Sequence, residues 1–114
     1  MLNTNLTFIT VGTPSNSDGS INLQFVRNSA REIGRALQKK NRYHLVTVKS
    51  TVAPGTTENV VKPAIEKNSN KSCGVDFGLC MNPEFLREGS ALHDFLNPDR
   101  LIIGEHDKKS GDFL

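Results

Sequence analysis

Cysteine is scarce in this chain, two among 114 residues, too few for a small secreted fold stapled by disulfides. No apolar run approaches the roughly 18 residues that a membrane-crossing helix needs. An excess of one charge is missing as well: Lys and Arg number 14 against 12 Asp and Glu, a net charge of +2. The lysines are scattered, so nothing announces a nucleic-acid partner. Internal repeats and low-complexity tracts are absent. The start, Met1-Leu2-Asn3-Thr4-Asn5, has no basic stretch ahead of a long apolar region, so no export signal is expected and the cytoplasm is the default compartment. There, Cys73 and Cys80, without metal or redox spacing, read as buried or semi-buried structural thiols. The sequons at Asn5 and Asn70 are then chance.

What is present, 36% hydrophobic and 23% charged residues, suits one compact domain. Leu6-Thr7-Phe8-Ile9-Thr10-Val11 is a β-branched run stopped by Gly12-Thr13-Pro14, the pattern of a strand ending in a turn. Val26, Ala30, Ile33 and Leu37 share one helical face, predicting a helix from about Ser20 to Lys40 with Lys39 and Lys40 at its negative end. Leu45 to Val48 reads as a second strand. Val60, Val61, Ala64 and Ile65 form a second helical stripe, which Pro63 should kink or restart because it lacks an N–H. Val75 to Met81 reads as a third strand, and Leu101-Ile102-Ile103 as a fourth, ending at Gly104. Strands alternating with helices predict an α/β fold with a doubly wound parallel sheet and flanking helices.

In such sheets ligands bind beyond the carboxyl ends of the strands. The loops there are Val11-Gly12-Thr13-Pro14-Ser15, Lys49-Ser50-Thr51-Val52 and Asn82-Pro83-Glu84-Phe85-Leu86-Arg87-Glu88-Gly89. Gly12 permits close backbone approach, and the hydroxyls of Thr13, Ser15, Ser50 and Thr51 can serve phosphate, ribose or water. Ordinary turn and cap chemistry would use the same residue types. Glu84 and Glu88, four apart, share one side if this segment begins a helix, which makes Glu84 a candidate general acid or base. A solvated helix-start carboxylate is the plainer alternative. Arg87 can pair with either carboxylate or meet a phosphate. His44, His93 and His106 show no metal spacing and read as surface or capping residues, so no metal is expected.

Taken together and in this order, Val11-Gly12-Thr13-Pro14, Lys49-Ser50-Thr51-Val52-Ala53-Pro54-Gly55-Thr56, Asn82 to Gly89 and Asn97-Pro98-Asp99-Arg100 resemble the UDP-glucose/GDP-mannose dehydrogenase family. The Asn82–Gly89 stretch is more similar to the UDP-glucose branch than to the UDP-N-acetylmannosamine branch. The resemblance implies a partial Rossmann-like domain and oxidation of a nucleotide sugar's C6 alcohol to a carboxylate with NAD. For UDP-glucose the product is UDP-glucuronate, reached by two hydride transfers through a cysteine thioester, chemistry that feeds polysaccharide synthesis. By motif it implies that Val11, Gly12, Thr13, Pro14, Ser15, Ser50, Thr51, Val52 and Glu88 line the NAD pocket. Glu84, Phe85, Leu86, Arg87 and Glu88 would contact the nucleotide sugar. Thr51 and Glu84 would be the catalytic pair that positions and activates the hydrolytic water.

No Gly-x-Gly-x-x-Gly turn occurs in these residues, so the pyrophosphate cradle is missing, and neither cysteine lies in the family's nucleophile motif. The resemblance therefore implies that residues 1–114 are the second half of an NAD-binding domain. It would begin near the fourth strand and end before the central helix, with the glycine-rich half and the nucleotide-sugar domain lying elsewhere. Such a piece is expected to be inactive alone, its parent a homodimer, and its first strand, with Phe8, Ile9 and Val11, an exposed edge that invites self-association. A nucleotide-binding module that kept the fold and lost catalysis is the alternative, as is a piece of a GDP-mannose enzyme.

Overall fold

The computed structural model describes Met1–Leu114 as a four-stranded sheet in the order β1-β2-β3-β4. The strands are β1 (Leu6–Ile9), β2 (Leu45–Val48), β3 (Gly78–Met81) and β4 (Gly104–Glu105). The first three are parallel, and the register pairs Ile9 with Val48 and Val48 with Met81. Their carboxyl ends therefore finish level along one edge of the sheet.

The α/β reading holds, with one correction at the fourth strand. Leu101-Ile102-Ile103 forms no strand and is exposed. Instead Gly104–Glu105 pairs antiparallel with β3. Two ladder pairs make a short edge, the kind on which an antiparallel strand closes an otherwise parallel sheet. The third strand is also shorter than its apolar run, because Val75 and Asp76 turn, with both N–H groups donating to Ser72 O.

Helix α1 (Gln24–Gln38) begins later than predicted. Before it, Pro14 to Asn22 closes a small hairpin, with Asn16 N–H donating to Ser20 O and Asn22 N–H to Pro14 O. Gly19 takes a positive φ of 83° at the tip, a conformation only glycine adopts freely. The predicted face of α1, Val26, Ala30, Ile33 and Leu37, is buried against Ile9, Val46, Val48 and Leu79 of the sheet.

Pro63 has the predicted effect in a specific form. A π-helical turn, Thr57–Val61, runs into helix α2 (Lys62–Ser69) with Pro63 in its first turn. Lys62 N–H reaches back five residues to Thr57 O, and α2 restarts there with Pro63 in its first turn, where a missing N–H is tolerated. Val61 and Ile65 carry the stripe into the core. Short helices α3 (Ala91–Leu96) and α4 (Lys108–Phe113) complete the chain. Alternation along β3 sends Gly78 to the face opposite Leu79, where a Cβ would collide with Tyr43 Oη and Ser110 Oγ. That second face is covered by α4 near β3, whereas Phe8 of β1 stays 45% exposed.

Lys40, predicted at the negative end of α1, and His44, predicted as a surface or capping residue, are structural and buried. Lys40 does not face the end of α1; its ammonium donates to the carbonyls of Met1 at 3.2 Å, Leu2 at 3.3 Å and Thr4. Burial, then Arg42 and Lys71, lowers its pKa. His44 Nδ1 lies 3.1 Å from Thr4 O, and its Nε2 lies 2.8 Å from Thr7 Oγ1. A carbonyl can only accept, so Nδ1 carries the proton and the Thr7 hydroxyl donates to Nε2. Burial, then Lys40, lowers the imidazole's pKa and keeps it neutral.

Gly34 marks the closest approach of α1 to α2: a Cβ there would sit 2.8 Å from both Ile65 O and Asn68 Cβ. The first obstacle is backbone and cannot swing aside. Gly34→Ala therefore loses more to overpacking, about 1–3 kcal/mol, than the roughly 1 kcal/mol that alanine gains in a helix. Urea unfolding is expected to show a lower midpoint for the variant with an unchanged slope.

Candidate functional site

The level strand ends carry three loops that border one open cleft of about 1230 Å³. Val11, Gly12 and Thr13 enter it from β1, Lys49, Ser50 and Thr51 from β2, and Asn82 to Arg87 from β3. Residues Asn97 to Leu101 close the far side. Pro14, Ser15, Val52 and Glu88 do not line it. Ser15 pairs with Ile21 in the small hairpin, and Val52 packs against the core.

Backbone and hydroxyl bonds shape the first two loops. Ile9 O accepts from both Lys49 N–H at 2.8 Å and Ser50 N–H at 3.1 Å. Ser50 Oγ donates to Val11 O at 2.6 Å, and Thr13 Oγ1 donates to Thr51 O at 2.8 Å. These two protons tie the β1 loop to the β2 loop. The Thr51 side chain is exposed and its hydroxyl has no partner within the protein. No atom lies within 4 Å of where a Cβ on Gly12 would sit, so its backbone faces open space.

The third loop is not a helix. Residues 82–87 are irregular, and α3 begins only at Ala91, so Glu84 and Glu88 do not share a helical face. Glu84 Oε2 instead accepts the Leu86 N–H at 2.7 Å. Arg87 chooses neither glutamate. Its Nε and Nη2 form a fork on Asp94, at 3.0 Å to Oδ2 and 2.6 Å to Oδ1, while its backbone N–H adds a bond of 3.0 Å to Oδ2. Ser90 Oγ contributes another at 3.2 Å. The Arg87 side-chain bonds, then its backbone bond, hold the Asp94 carboxyl well below the usual carboxylate range. Beyond this, Arg100 stands over the Phe85 ring, 5.8 Å from its centroid.

Asp94 escaped the sequence reading because no local spacing links it to a residue outside its helix. Lys49 and Asn82 were quoted only as parts of motifs, yet Lys49 Nζ donates to Asn82 Oδ1 at 2.9 Å across 33 positions of chain. The histidines gather nowhere: His93 is exposed at the cleft, and His106 Nδ1 meets Glu58 Oε1 at 2.8 Å. Cys80 is buried and Cys73 partly so, both as free thiols. Burial pushes them up to about 11 and about 12, the opposite of an activated nucleophile.

Comparison with known proteins adds a family. The model of the "UDP-glucose/GDP-mannose dehydrogenase family, NAD binding domain" matches residues 1–114. GDP-mannose 6-dehydrogenase of Pseudomonas aeruginosa is 49% identical over 114 residues, all of this chain and 26% of that protein. UDP-glucose 6-dehydrogenase AglM of Haloferax volcanii is 47% identical over 104 residues, 91% of this chain and 24% of that protein. A crystal structure of a ternary complex of the Pseudomonas aeruginosa GDP-mannose dehydrogenase superposes with a TM-score of 0.96 at 49% identity, covering 98% of this chain and 26% of the other. A UDP-glucose dehydrogenase from Pyrobaculum islandicum superposes with a TM-score of 0.89 at 52% identity, covering 96% and 25%. The chain thus spans about a quarter of the length of these relatives.

The residues present fit one side of a dinucleotide. Gly12 leaves open space over its backbone, and Thr51 offers an uncommitted hydroxyl beside loops locked by Ser50 and Thr13. The Arg87–Asp94 fork ties the end of the third loop to α3, and its acid limit follows from linkage. A depressed folded pKa gives stability that is present above the ordinary carboxylate value of about 3.9 and lost as pH falls below it. Asp94→Asn is expected to speed amide hydrogen exchange at Arg87 and Ser90 at neutral pH, with the parent chain showing the same release only in strong acid.

Proposed function

We propose, because this chain belongs to the UDP-glucose/GDP-mannose dehydrogenase family through its NAD-binding domain, that it supplies the second half of that domain in a nucleotide-sugar 6-dehydrogenase. This enzyme would be an oxidoreductase that takes the C6 alcohol of a nucleotide sugar to the carboxylate. The family's domain binds NAD, which when bound accepts hydride from the sugar carbon. Val11, Gly12, Thr13, Ser50 and Thr51 would hold it from this side, with Pro14, Ser15, Val52 and Glu88 around them. The glycine-rich half and the cysteine that forms the thioester belong, in this reading, to the rest of the enzyme, so these residues alone are inactive. The observation that carries the reading is the shared ladder level of Ile9, Val48 and Met81, which supports one active-site edge bearing both a free hydroxyl and a carboxylate.

In the hydrolytic step Thr51 holds the water by its unpartnered hydroxyl, and Glu84 takes the proton as the water oxygen attacks the acyl carbon and the thiolate leaves. The Leu86 N–H engages one Glu84 oxygen, which orients the carboxylate and leaves the other for the water. Phe85 and Leu86 border the nucleotide sugar, and Arg87, closed on Asp94, shapes the loop that presents them.

The likeness of the Asn82–Gly89 stretch to the UDP-glucose branch over the UDP-N-acetylmannosamine branch keeps UDP-glucose as a candidate substrate. Identity to GDP-mannose 6-dehydrogenases over the whole chain favours GDP-mannose, so both sugars belong in the assay. The free thiols support a reducing, cytoplasmic setting, and no helix is long and apolar enough to cross a membrane. In the intact enzyme, Glu84→Gln is expected to lower steady-state NADH formation by roughly 10²–10⁴-fold, and Thr51→Ala by less. Activity within about threefold of the parent in Glu84→Gln would sink the assignment.

The parent is proposed to be a homodimer, and residues 1–114 alone to self-associate through β1. That strand lies at the edge of the sheet, with Phe8 half-exposed and the ladder unpaired on its outer side. Sedimentation velocity is expected to show a concentration-dependent shift to larger species. A single sharp monomer at high concentration refutes it.

A further inference from the structure

The cleft contains a polar bridge that the reaction described above does not use. Asn82 Oδ1 accepts from Lys49 Nζ at 2.9 Å, and Asn82 Nδ2 donates to Ile102 O at 2.9 Å. An ammonium can only donate and a carbonyl can only accept, so the amide's orientation is dictated from both ends. The backbone at each residue is already anchored in the ladder, Lys49 N–H on Ile9 O at 2.8 Å and Asn82 N–H on Val48 O at 2.9 Å. The side-chain bridge is therefore not needed to pair the strands.

Its placement is what matters. Thr51 lies two residues beyond Lys49, and Glu84 two residues beyond Asn82. The bridge thus joins the β2 and β3 loops at the last level where both backbones are still fixed, and ties both to Ile102 in the segment before β4. Lys49 forms no ion pair, and apart from Asn82 its ammonium meets only the Phe8 ring, 5.8 Å from the centroid. Nothing else holds this lysine in the cleft. A charged side chain there gives up much rotamer freedom for one hydrogen bond, which a solvated lysine would have no reason to do.

We infer that Lys49 and Asn82 act as a positioning brace that sets the separation of Thr51 from Glu84 for attack of water on the acyl carbon. This rests on the hydrolytic roles given to Thr51 and Glu84. Neither brace residue touches the reacting atoms; each acts through the catalytic residue two positions further along its loop. Loss of the brace leaves the sheet and the Ser50 and Thr13 ties of the β2 loop intact and lets the β3 loop, with Glu84, drift relative to Thr51; a misplacement of about 1 Å can cost on the order of 10²-fold in rate.

The test uses the intact enzyme carrying this chain, with whichever of UDP-glucose and GDP-mannose it oxidises. Four variants are compared with the parent: Asn82→Leu, Lys49→Met, Asn82→Asp and, as the control on the underlying reading, Glu84→Gln. Two quantities are read: the first NADH burst, and the covalent acyl-enzyme seen as an added mass on the intact protein. A brace predicts that Asn82→Leu and Lys49→Met keep the burst but accumulate the acyl-enzyme, with its hydrolysis slowed about tenfold or more. Asn82→Asp retains an acceptor for Lys49 but loses the donor to Ile102 O, so its hydrolysis falls between that of the parent and that of Asn82→Leu. Should Asn82→Leu fail to fold, Lys49→Met carries the test, since it removes the ammonium and with it the donor to Asn82, while keeping an unbranched side chain of similar bulk.

If Glu84→Gln accumulates acyl-enzyme while hydrolysis in Lys49→Met stays within about twofold of the parent, the brace is overturned and the hydrolytic reading survives. If burst and hydrolysis fall together in the brace variants with a lowered unfolding midpoint, their role is merely structural and the inference fails. If Glu84→Gln accumulates nothing, the hydrolytic reading falls, and the brace with it.

Discussion

Parallel pairing of β1, β2 and β3 in one register is the constraint on which the rest of this structure depends. Ile9, Val48 and Met81 stand side by side, and each is the last residue of its strand. Because the strands stop at the same level, their loops leave the sheet together. Residues more than 30 positions apart then meet across gaps that a hydroxyl or an amide can span. Side chains alternate across a strand, so a slip of one residue in any ladder would send that strand's core residues to the opposite face. Core burial of Ile9, Val46, Val48 and Leu79 is what resists such a slip.

The helices stabilise that register from one side. The apolar stripe of α1 and the stripe carried by the π turn and α2 converge on the same face, and Gly34 lets the two helices approach closely. The opposite face is less complete. Tyr43 and Ser110 close it beside β3, while Phe8 stays half-exposed and the hydroxyl of Thr47, buried in the sheet centre, finds no partner. One face of the sheet is thus closed and the other partly open.

The cleft is organised largely by groups whose hydrogen bonds are already spent. Ser50 and Thr13 donate to backbone, Arg87 is closed on Asp94, and Lys49 is held by Asn82. Thr51 and the second oxygen of Glu84 are left over. In the proposed reaction these are the groups that act, and a surround whose bonds are already made would hold them without reorganisation. Salt and acid act on these contacts unequally. Arg87 and Asp94 form a bidentate pair, the strongest kind of charge-assisted bond, whereas exposed pairs such as Lys108 with Asp112 are the sort that contribute little.

Local chemistry was written plainly in the chain. Period and residue type predicted the buried face of α1, the second strand and the break at Pro63, and the turn residues after each strand marked the loops that gather at one cleft. These features depend on neighbours within a few positions, so a linear reading captures them. Leu101-Ile102-Ile103 misled that reading, since an apolar β-branched run is a strand only when a partner ladder is available, and β3 offered its edge to Gly104–Glu105 instead. The Glu84–Glu88 spacing implied a shared helical face only if a helix began there, and residues 82–87 are instead irregular, with Arg87 bonded to Asp94 of the following helix. Burial of His44 and Lys40, the Arg87–Asp94 fork and the Lys49–Asn82 bridge each join residues that no period connects. Only folding brings them within the 3 Å or so at which a hydrogen bond has value, and only the tertiary structure could decide them.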